Sequence, residues 1–177
     1  SQAEHDELAG AVLVTDSPAL AAAVEAALPA AVAATRHRER VEIALAGPQS
    51  ALVLVDDLEQ AARFSNAYAP EHLEVQVRDP HALLPRLTSA GAIFVGDHTP
   101  VSLGDYIAGS NHVLPTGGQA RFAAGLGAYS FLRPQQVVEY DRAALRAVAD
   151  RVGVLSDAEQ LPAHGEAVRA RFRDAGD

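Results

Sequence analysis

A carboxylate and an imidazole stand side by side in the segment Ala69-Pro70-Glu71-His72-Leu73. Imidazole is the side chain that titrates nearest neutral pH, and an adjacent carboxylate can act as a second base or orient the ring. Neighbouring residues of an extended strand point to opposite faces, so Glu71 and His72 can share one pocket only if the backbone turns, which Pro70 favours. The pair therefore indicates acid/base catalysis. The alternative interpretation is a solvated loop that carries two polar residues.

Four other side chains have the chemistry of metal ligands. Gln2 and His5 are three residues apart, which on a helix places both on one face within reach of one ion. Asp105 lies in a predicted loop, where a carboxylate either binds a metal or forms a turn. His164 follows a proline at a predicted helix start, a position that equally suits a surface histidine. Taken singly, each is more typical of an ordinary polar residue than of a ligand.

The composition limits the kinds of site that this chain can build. Its 177 residues are 49% hydrophobic and 21% charged, which is typical of one main soluble domain, and no apolar run approaches the roughly 18 residues of a membrane span. A net charge of -9 argues against nucleic acid as a partner. Cysteine is absent, so disulfides and thiol nucleophiles are excluded, and any metal must be bound through nitrogen and oxygen.

Nucleotide-binding motifs are also missing. No Gly-x-Gly-x-x-Gly follows a predicted strand, and a phosphate-binding loop that ends in lysine is excluded because the chain has no lysine. A complete dinucleotide site is therefore not visible. The chain begins at Ser1, has no methionine and shows no secretory signal, so we expect it to be a piece of something longer.

Short apolar segments alternate with helical patterns over the first part of the chain. Helix starts follow at Asp16-Ser17-Pro18 and Asp56-Asp57, and Pro29 predicts a break before the helical pattern resumes at residues 32–45. The alternation predicts an α/β fold, with a parallel sheet and helices on both faces, and a functional site at the carboxyl ends of the strands. The predicted strands are residues 11–15, 51–55, 73–77 and 92–95.

The texture of the chain changes after the fourth predicted strand. Residues 96–127 are rich in glycine, proline and polar side chains, which favours a site-building loop, and His112 within it contacts either a ligand or the loop backbone. Residues 130–140 are predicted to be extended. A helix is predicted at residues 141–155, and after Pro162 a last helix runs through His164 to about Arg173. This C-terminal tail is too short to form a hydrophobic core of its own. We expect residues 1–127 to belong to the main domain, and residues 128–177 to form an arm and helical tail that packs on a partner subunit.

Six separated motifs together cover almost the whole chain. They are Gln2-Ala3-Glu4-His5-Asp6, Ala69-Pro70-Glu71-His72-Leu73, Gly91-Ala92-Ile93-Phe94-Val95-Gly96, Gly104-Asp105-Tyr106, Asn111-His112-Val113-Leu114-Pro115-Thr116 and Ala163-His164. In this order they resemble the C-terminal portion of histidinol dehydrogenase. The resemblance implies part of a Rossmann-like domain followed by a small helical C-terminal extension.

The resemblance also implies a complete set of site residues. Glu71 and His72 would be the catalytic pair, with His72 taking the alcohol proton and Glu71 activating water. Zinc would orient the substrate. The implied zinc ligands are Gln2, His5, Asp105 and His164. The implied substrate contacts are these four ligands together with His72, His112 and Glu159.

The implied reaction is the oxidation of L-histidinol to L-histidine through the aldehyde with two NAD molecules, a step of histidine biosynthesis. The family implies a cytoplasmic homodimer in which the C-terminal ligand histidine reaches the neighbouring subunit's site. Family members are more than twice this length, and their N-terminal part carries most of the NAD contacts, so the piece alone is expected to be inactive.

Three rival interpretations remain open. The first is a related dehydrogenase of another small alcohol, such as sulfopropanediol, for which activity tests on both alcohols would decide. The second is a non-catalytic dimerisation fragment, which would lack zinc even beside a complementary N-terminal half. The third is a zinc hydrolase with Glu71 as base, which fits less well because four protein ligands leave little room for catalytic water.

Overall fold

Short parallel strands flanked by helices make up the fold. The computed structural model describes residues 1–173, and the chain divides into two compact units, Ser1–Leu132 and a second that begins at Arg133. The predicted α/β class with a helical C-terminal extension is confirmed. The predicted division after residue 127 remains a prediction. In the described part of the chain, no helix has the length and apolar character needed to cross a membrane.

Four strands in the first unit pair in parallel, two by two. β1 (Val12–Thr15) pairs with β2 (Ala51–Leu54), and β3 (His72–Val75) pairs with β4 (Ala92–Val95). The chain between the two strands of each pair is helical, as the connection between parallel strands requires. The predicted single sheet is thus present as two short sheets, and the strand positions agree with the prediction to within two residues at each end.

Helices connect and flank these strands. Three of these helices begin where an Asp or Ser side chain accepts a hydrogen bond from the third helical residue, at Ser17, Asp57 and Asp79. The helices of the first unit are α1 (Pro18–Ala34), α2 (Arg38–Ala46), α3 (Leu58–Tyr68), α4 (Pro80–Leu83) and α5 (Val101–Tyr106).

The predicted helix break at Pro29 is wrong, because α1 runs through that proline to Ala34. Proline removes one backbone donor and leaves the carbonyl of Glu25 without its helical partner. Both residues are exposed, so water can satisfy that carbonyl. The chain leaves the helix at Thr35 instead, and α2 begins after His37.

The core lies on one face of the β3–β4 sheet. Val75 is buried there with Ala62 of α3 and Leu87, and partly buried apolar side chains pack around them, namely Leu73, Val77, Leu83, Leu84 and Ile93. Side chains alternate along a strand, so Leu73 and Val75 face the core while His72 and Glu74 face away from it. Phe94 is paired in register with Glu74 and lies on that second face. The sheet therefore presents one apolar face and one face that carries polar chemistry.

The second unit contains two packed helices, α6 (Arg142–Ala158) and α7 (Pro162–Arg169). They approach closely where a Cβ on buried Gly165 would lie 2.6 Å from the Ser156 hydroxyl. A hydrogen bond from Arg169 and the charge of Arg173 lower the pKa of Glu166. The predicted last helix, which runs through His164, is present as α7, and Pro162 occupies its first helical position.

Candidate active site

The backbone turns sharply just before β3. Ala69 ends α3 in the left-handed region (φ 53°, ψ 66°), and its N–H donates to the Ser65 carbonyl at 2.8 Å. This conformation costs a residue with a side chain about 1–2 kcal/mol, and such strain concentrates near functional sites. The turn brings Glu71 Oε1 to 4.0 Å from His72 Nδ1. The two side chains therefore lie close together, and their catalytic role stays a prediction.

The His72 imidazole is enclosed, with only 10% of its side chain exposed. The amide nitrogen of Gln2 lies 3.3 Å from Nδ1 and donates to it. The ring also lies beside Phe94, with 6.0 Å between ring centroids and 36° between the planes. Gln2 is one of the predicted metal ligands, so two predicted site residues that are 70 positions apart in the chain meet at Nδ1.

The N-terminal segment that carries Gln2 is tied to α2. Gln2–Glu4 forms one turn of 3-10 helix, and the His5 N–H continues it by donating to the Gln2 carbonyl at 3.2 Å. Residues three apart eclipse in such a turn, so Gln2 and His5 are expected on one side of it. The Arg40 guanidinium donates to the Glu4 carbonyl at 3.1 Å. Helix α2 therefore fixes where Gln2 meets His72, while His5 itself is exposed.

Asp105 lies on the short helix α5, not in a loop as predicted. Glu74 of β3 anchors this helix, because its Oε1 accepts a hydrogen bond of 3.0 Å from the Val101 N–H. The Asp105 carboxylate is 13% exposed, and its Oδ1 lies 2.8 Å from Nδ1 of the largely exposed His112. The second carboxylate oxygen lies outside this bond, so Asp105 can accept His112 and still bind a cation.

Arg121 fastens the glycine-rich loop against α3. Its guanidinium donates to the carbonyls of Gly118 at 3.1 Å and Ala67 at 3.2 Å. Sequence reasoning missed this arginine, as well as Glu74 and Phe94. The alternation of His72 and Glu74 along one strand was the available signal for Glu74, whereas Phe94 looked like an ordinary core residue.

His164 and Glu159 belong to the second unit. His164 lies on α7, Glu159 follows the last residue of α6, and both are exposed. His164 and Glu159 lie in a different compact unit from the other predicted site residues, so their predicted roles rest on the resemblance alone. Over residues 1–173, no three His, Asp or Glu side chains gather closely enough to hold a metal ion.

Comparison with known proteins shows which family this chain belongs to. A sequence model of histidinol dehydrogenase matches residues 1–172. The chain is 68% identical over 174 residues to the histidinol dehydrogenase of Leifsonia xyli, which covers 98% of this chain and 40% of that protein. It is 61% identical over 172 residues to the Thermobifida fusca histidinol dehydrogenase, covering 97% of this chain and 39% of that protein.

A solved structure agrees with the fold. The crystal structure of histidinol dehydrogenase from Elizabethkingia anophelis superimposes with a TM-score of 0.86 at 29% identity, over 96% of this chain and 39% of that one. The chain thus spans about two fifths of the length of the relatives it matches. On both the sequence and the fold, this chain belongs to the histidinol dehydrogenase family.

Proposed function

We propose that this chain is part of an enzyme that oxidises L-histidinol to L-histidine through the aldehyde, with NAD as hydride acceptor and zinc as the bound metal. The observation that carries the proposal is the meeting of Gln2, Glu71 and His72 around one imidazole nitrogen in a histidinol dehydrogenase family member. NAD contacts would come mainly from residues outside this chain, and the enzyme would work in the cytoplasm.

The geometry suits His72 as the base that takes the alcohol proton. Gln2 donates to Nδ1, so Nδ1 carries the lone pair of the neutral ring, and that lone pair becomes available for the alcohol proton once the Gln2 amide is displaced. A proton taken up at Nδ1 would place positive charge 4.0 Å from the Glu71 carboxylate, which stabilises the imidazolium. Glu71 is partly exposed, so it can also reach water and activate it for attack on the aldehyde.

The donor set matches zinc chemically. Zinc is bound in proteins by imidazole nitrogen and carboxylate oxygen, and the chain offers both without cysteine. The enclosed Asp105 carboxylate, with one oxygen outside its His112 bond, supplies the negative charge. When bound, zinc would orient the imidazole and amino groups of the substrate. The proposed ligands are Gln2, His5, Asp105 and His164.

The remaining roles follow the family. His112 and Glu159 would contact the substrate, and a homodimer would let His164 of one protomer reach the site of the other. A segment with little core of its own, such as the unit from Arg133 onward, is suited to packing on another subunit.

The test uses a chimera in which this chain replaces the matching segment of the Leifsonia xyli histidinol dehydrogenase, its 68% identical relative. We expect the chimera to bind zinc and to reduce two NAD per L-histidine formed, with sulfopropanediol left unoxidised. Oxidation of sulfopropanediol in preference to L-histidinol would favour the related dehydrogenase. A dimeric, folded chimera without zinc and without either activity would favour the non-catalytic fragment.

The approach of β4 to the Glu71 backbone gives a stability prediction. A Cβ on Gly91 would lie 2.6 Å from the Glu71 carbonyl oxygen and 3.2 Å from Cδ of Pro115. We expect Gly91→Ala to lower the free energy of unfolding of the chimera by about 1–3 kcal/mol, as overpacking does, measured by urea denaturation.

Gly127→Ala is the matched control for this substitution, because Gly127 has extended backbone and nothing within 4 Å of an added Cβ. Its free energy of unfolding should stay within about 0.5 kcal/mol of the parent. Equal stability of the two variants would contradict the close approach at Glu71.

A further inference from the structure

Phe94 is an apolar residue on the polar face of the β3–β4 sheet. It lies on the same face of the β3–β4 sheet as His72 and is 6% exposed, whereas the hydrophobic core lies on the other face. Its ring flanks the His72 imidazole at 6.0 Å between centroids. A buried aromatic ring on the polar face of a sheet must be covered by something other than that core.

The cover is helix α5. A Cβ on Gly104 would lie 2.7 Å from Cζ and 2.8 Å from Cε1 of Phe94, so the helix backbone rests directly on the edge of the ring. No residue other than glycine allows this approach without displacing the ring or the helix. Phe94 is therefore held between the His72 imidazole on one side and α5 on the other.

The same helix is fixed at its beginning by Glu74, whose register partner is Phe94. One residue after Gly104 comes Asp105 with its enclosed carboxylate. The ring of Phe94 thus separates the helix that carries the carboxylate from the imidazole that accepts the Gln2 amide. Packed side chains occupy discrete rotamers, so the size of this spacer sets the position of the groups on both sides.

We infer that Phe94, with Gly104 as its matching surface, is a positioning residue that holds the His72 imidazole at its working distance from the α5 carboxylate; this rests on the proposed function of His72 as the base. Phe94 does not touch the reacting atoms. It acts by filling the space between the imidazole and the helix, and a displacement of about 1 Å at a catalytic group can cost up to a hundredfold in rate.

The experiment separates positioning from stability with a size-compensated pair in the chimera. Phe94→Leu opens space, and Gly104→Ala adds a methyl group into that space. We expect the double variant to unfold near the parent's urea midpoint and to bind zinc fully, yet to lose about tenfold or more in kcat with little change in KM, and to shift the pH profile of kcat.

Phe64→Leu is the matched control, because Phe64 stacks on Tyr68 with the same 6.0 Å centroid separation and lies on α3. Its kcat and pH profile should match those of the parent. A double variant with the parent's kcat and pH profile would overturn the inference. Should the double variant not fold, Phe94→Met replaces the flat ring with a long, flexible apolar side chain that can partly fill the space, and the same losses are expected.

A structural readout keeps this inference distinct from the proposed function. Failure of the parent chimera to oxidise L-histidinol would count against the proposed function alone. A crystal structure of Phe94→Leu should show the His72 imidazole rotated away from the Gln2 amide. An unmoved imidazole, still bonded to Gln2, would overturn the inference whatever the activity.

Discussion

Replacing His72 with asparagine should lower the turnover of the chimera by about a hundredfold or more, while zinc remains bound. Asparagine is similar in size, and its carbonyl can accept the amide hydrogen bond that Gln2 donates to Nδ1. It cannot accept a proton from the alcohol, so the chemical step loses its base. His72 is not a proposed zinc ligand, so the metal content should not change.

Two measurements check this prediction, namely steady-state NADH formation and the pH profile of kcat. General-base catalysis makes kcat depend on pH, so the pH profile of kcat should differ between the parent and the asparagine variant. His81→Asn provides the matched control, because His81 is exposed on α4. Unchanged turnover in the His72 variant would remove this imidazole from the mechanism.

Local sequence signals were enough to predict the strands and helices that carry the candidate site. Four short apolar runs became β1 to β4, and Ser17 and Asp57 cap helices as their side chains predict. These features depend on residues close together in the chain. The proposed catalytic pair was visible for the same reason, because Glu71 and His72 are adjacent in the chain and need only a local turn to meet.

Long-range packing decides the features that the sequence did not reveal. Asp105 was expected in a loop because residues 96–127 are rich in glycine, proline and polar side chains, and glycine disfavours a helix. The helix forms there because Glu74 caps it and the Phe94 ring needs a residue without a side chain above it. Both contacts depend on the register of β3 against β4. That register cannot be inferred from local patterns in a single sequence.

Pro29 shows the opposite kind of error, in which a strong local signal was overridden. Proline in a helix interior costs about 3 kcal/mol or more when the lost hydrogen bond goes unreplaced. In α1 the affected turn is exposed, so solvent can replace the lost partner of Glu25 and the helix continues to Ala34. Whether a proline ends a helix therefore depends on how buried the affected turn is, and the sequence pattern of α1 did not specify that burial.

Asp105→Asn should weaken zinc binding by the chimera at least about a hundredfold, more than the roughly 10- to 100-fold that loss of an outer-shell partner causes. The amide keeps the size of the side chain, and its oxygen can still accept the bond from His112. It removes the negative charge that a cation needs from a carboxylate enclosed to 13% exposure. The loss should therefore appear in metal affinity, measured by competition with a chelator, and not in the urea midpoint of the metal-free protein.

Two comparisons make this result specific to the ligand set. Asp97→Asn removes the same charge at an exposed position after β4, and its zinc affinity should equal the parent's. His112→Ala leaves the carboxylate charged but removes its partner at 2.8 Å, so it should fall between the parent and Asp105→Asn. Anomalous scattering at the zinc edge should then place the metal beside Asp105 in the parent. Full zinc affinity in Asp105→Asn would show that α5 presents its carboxylate to something other than the metal.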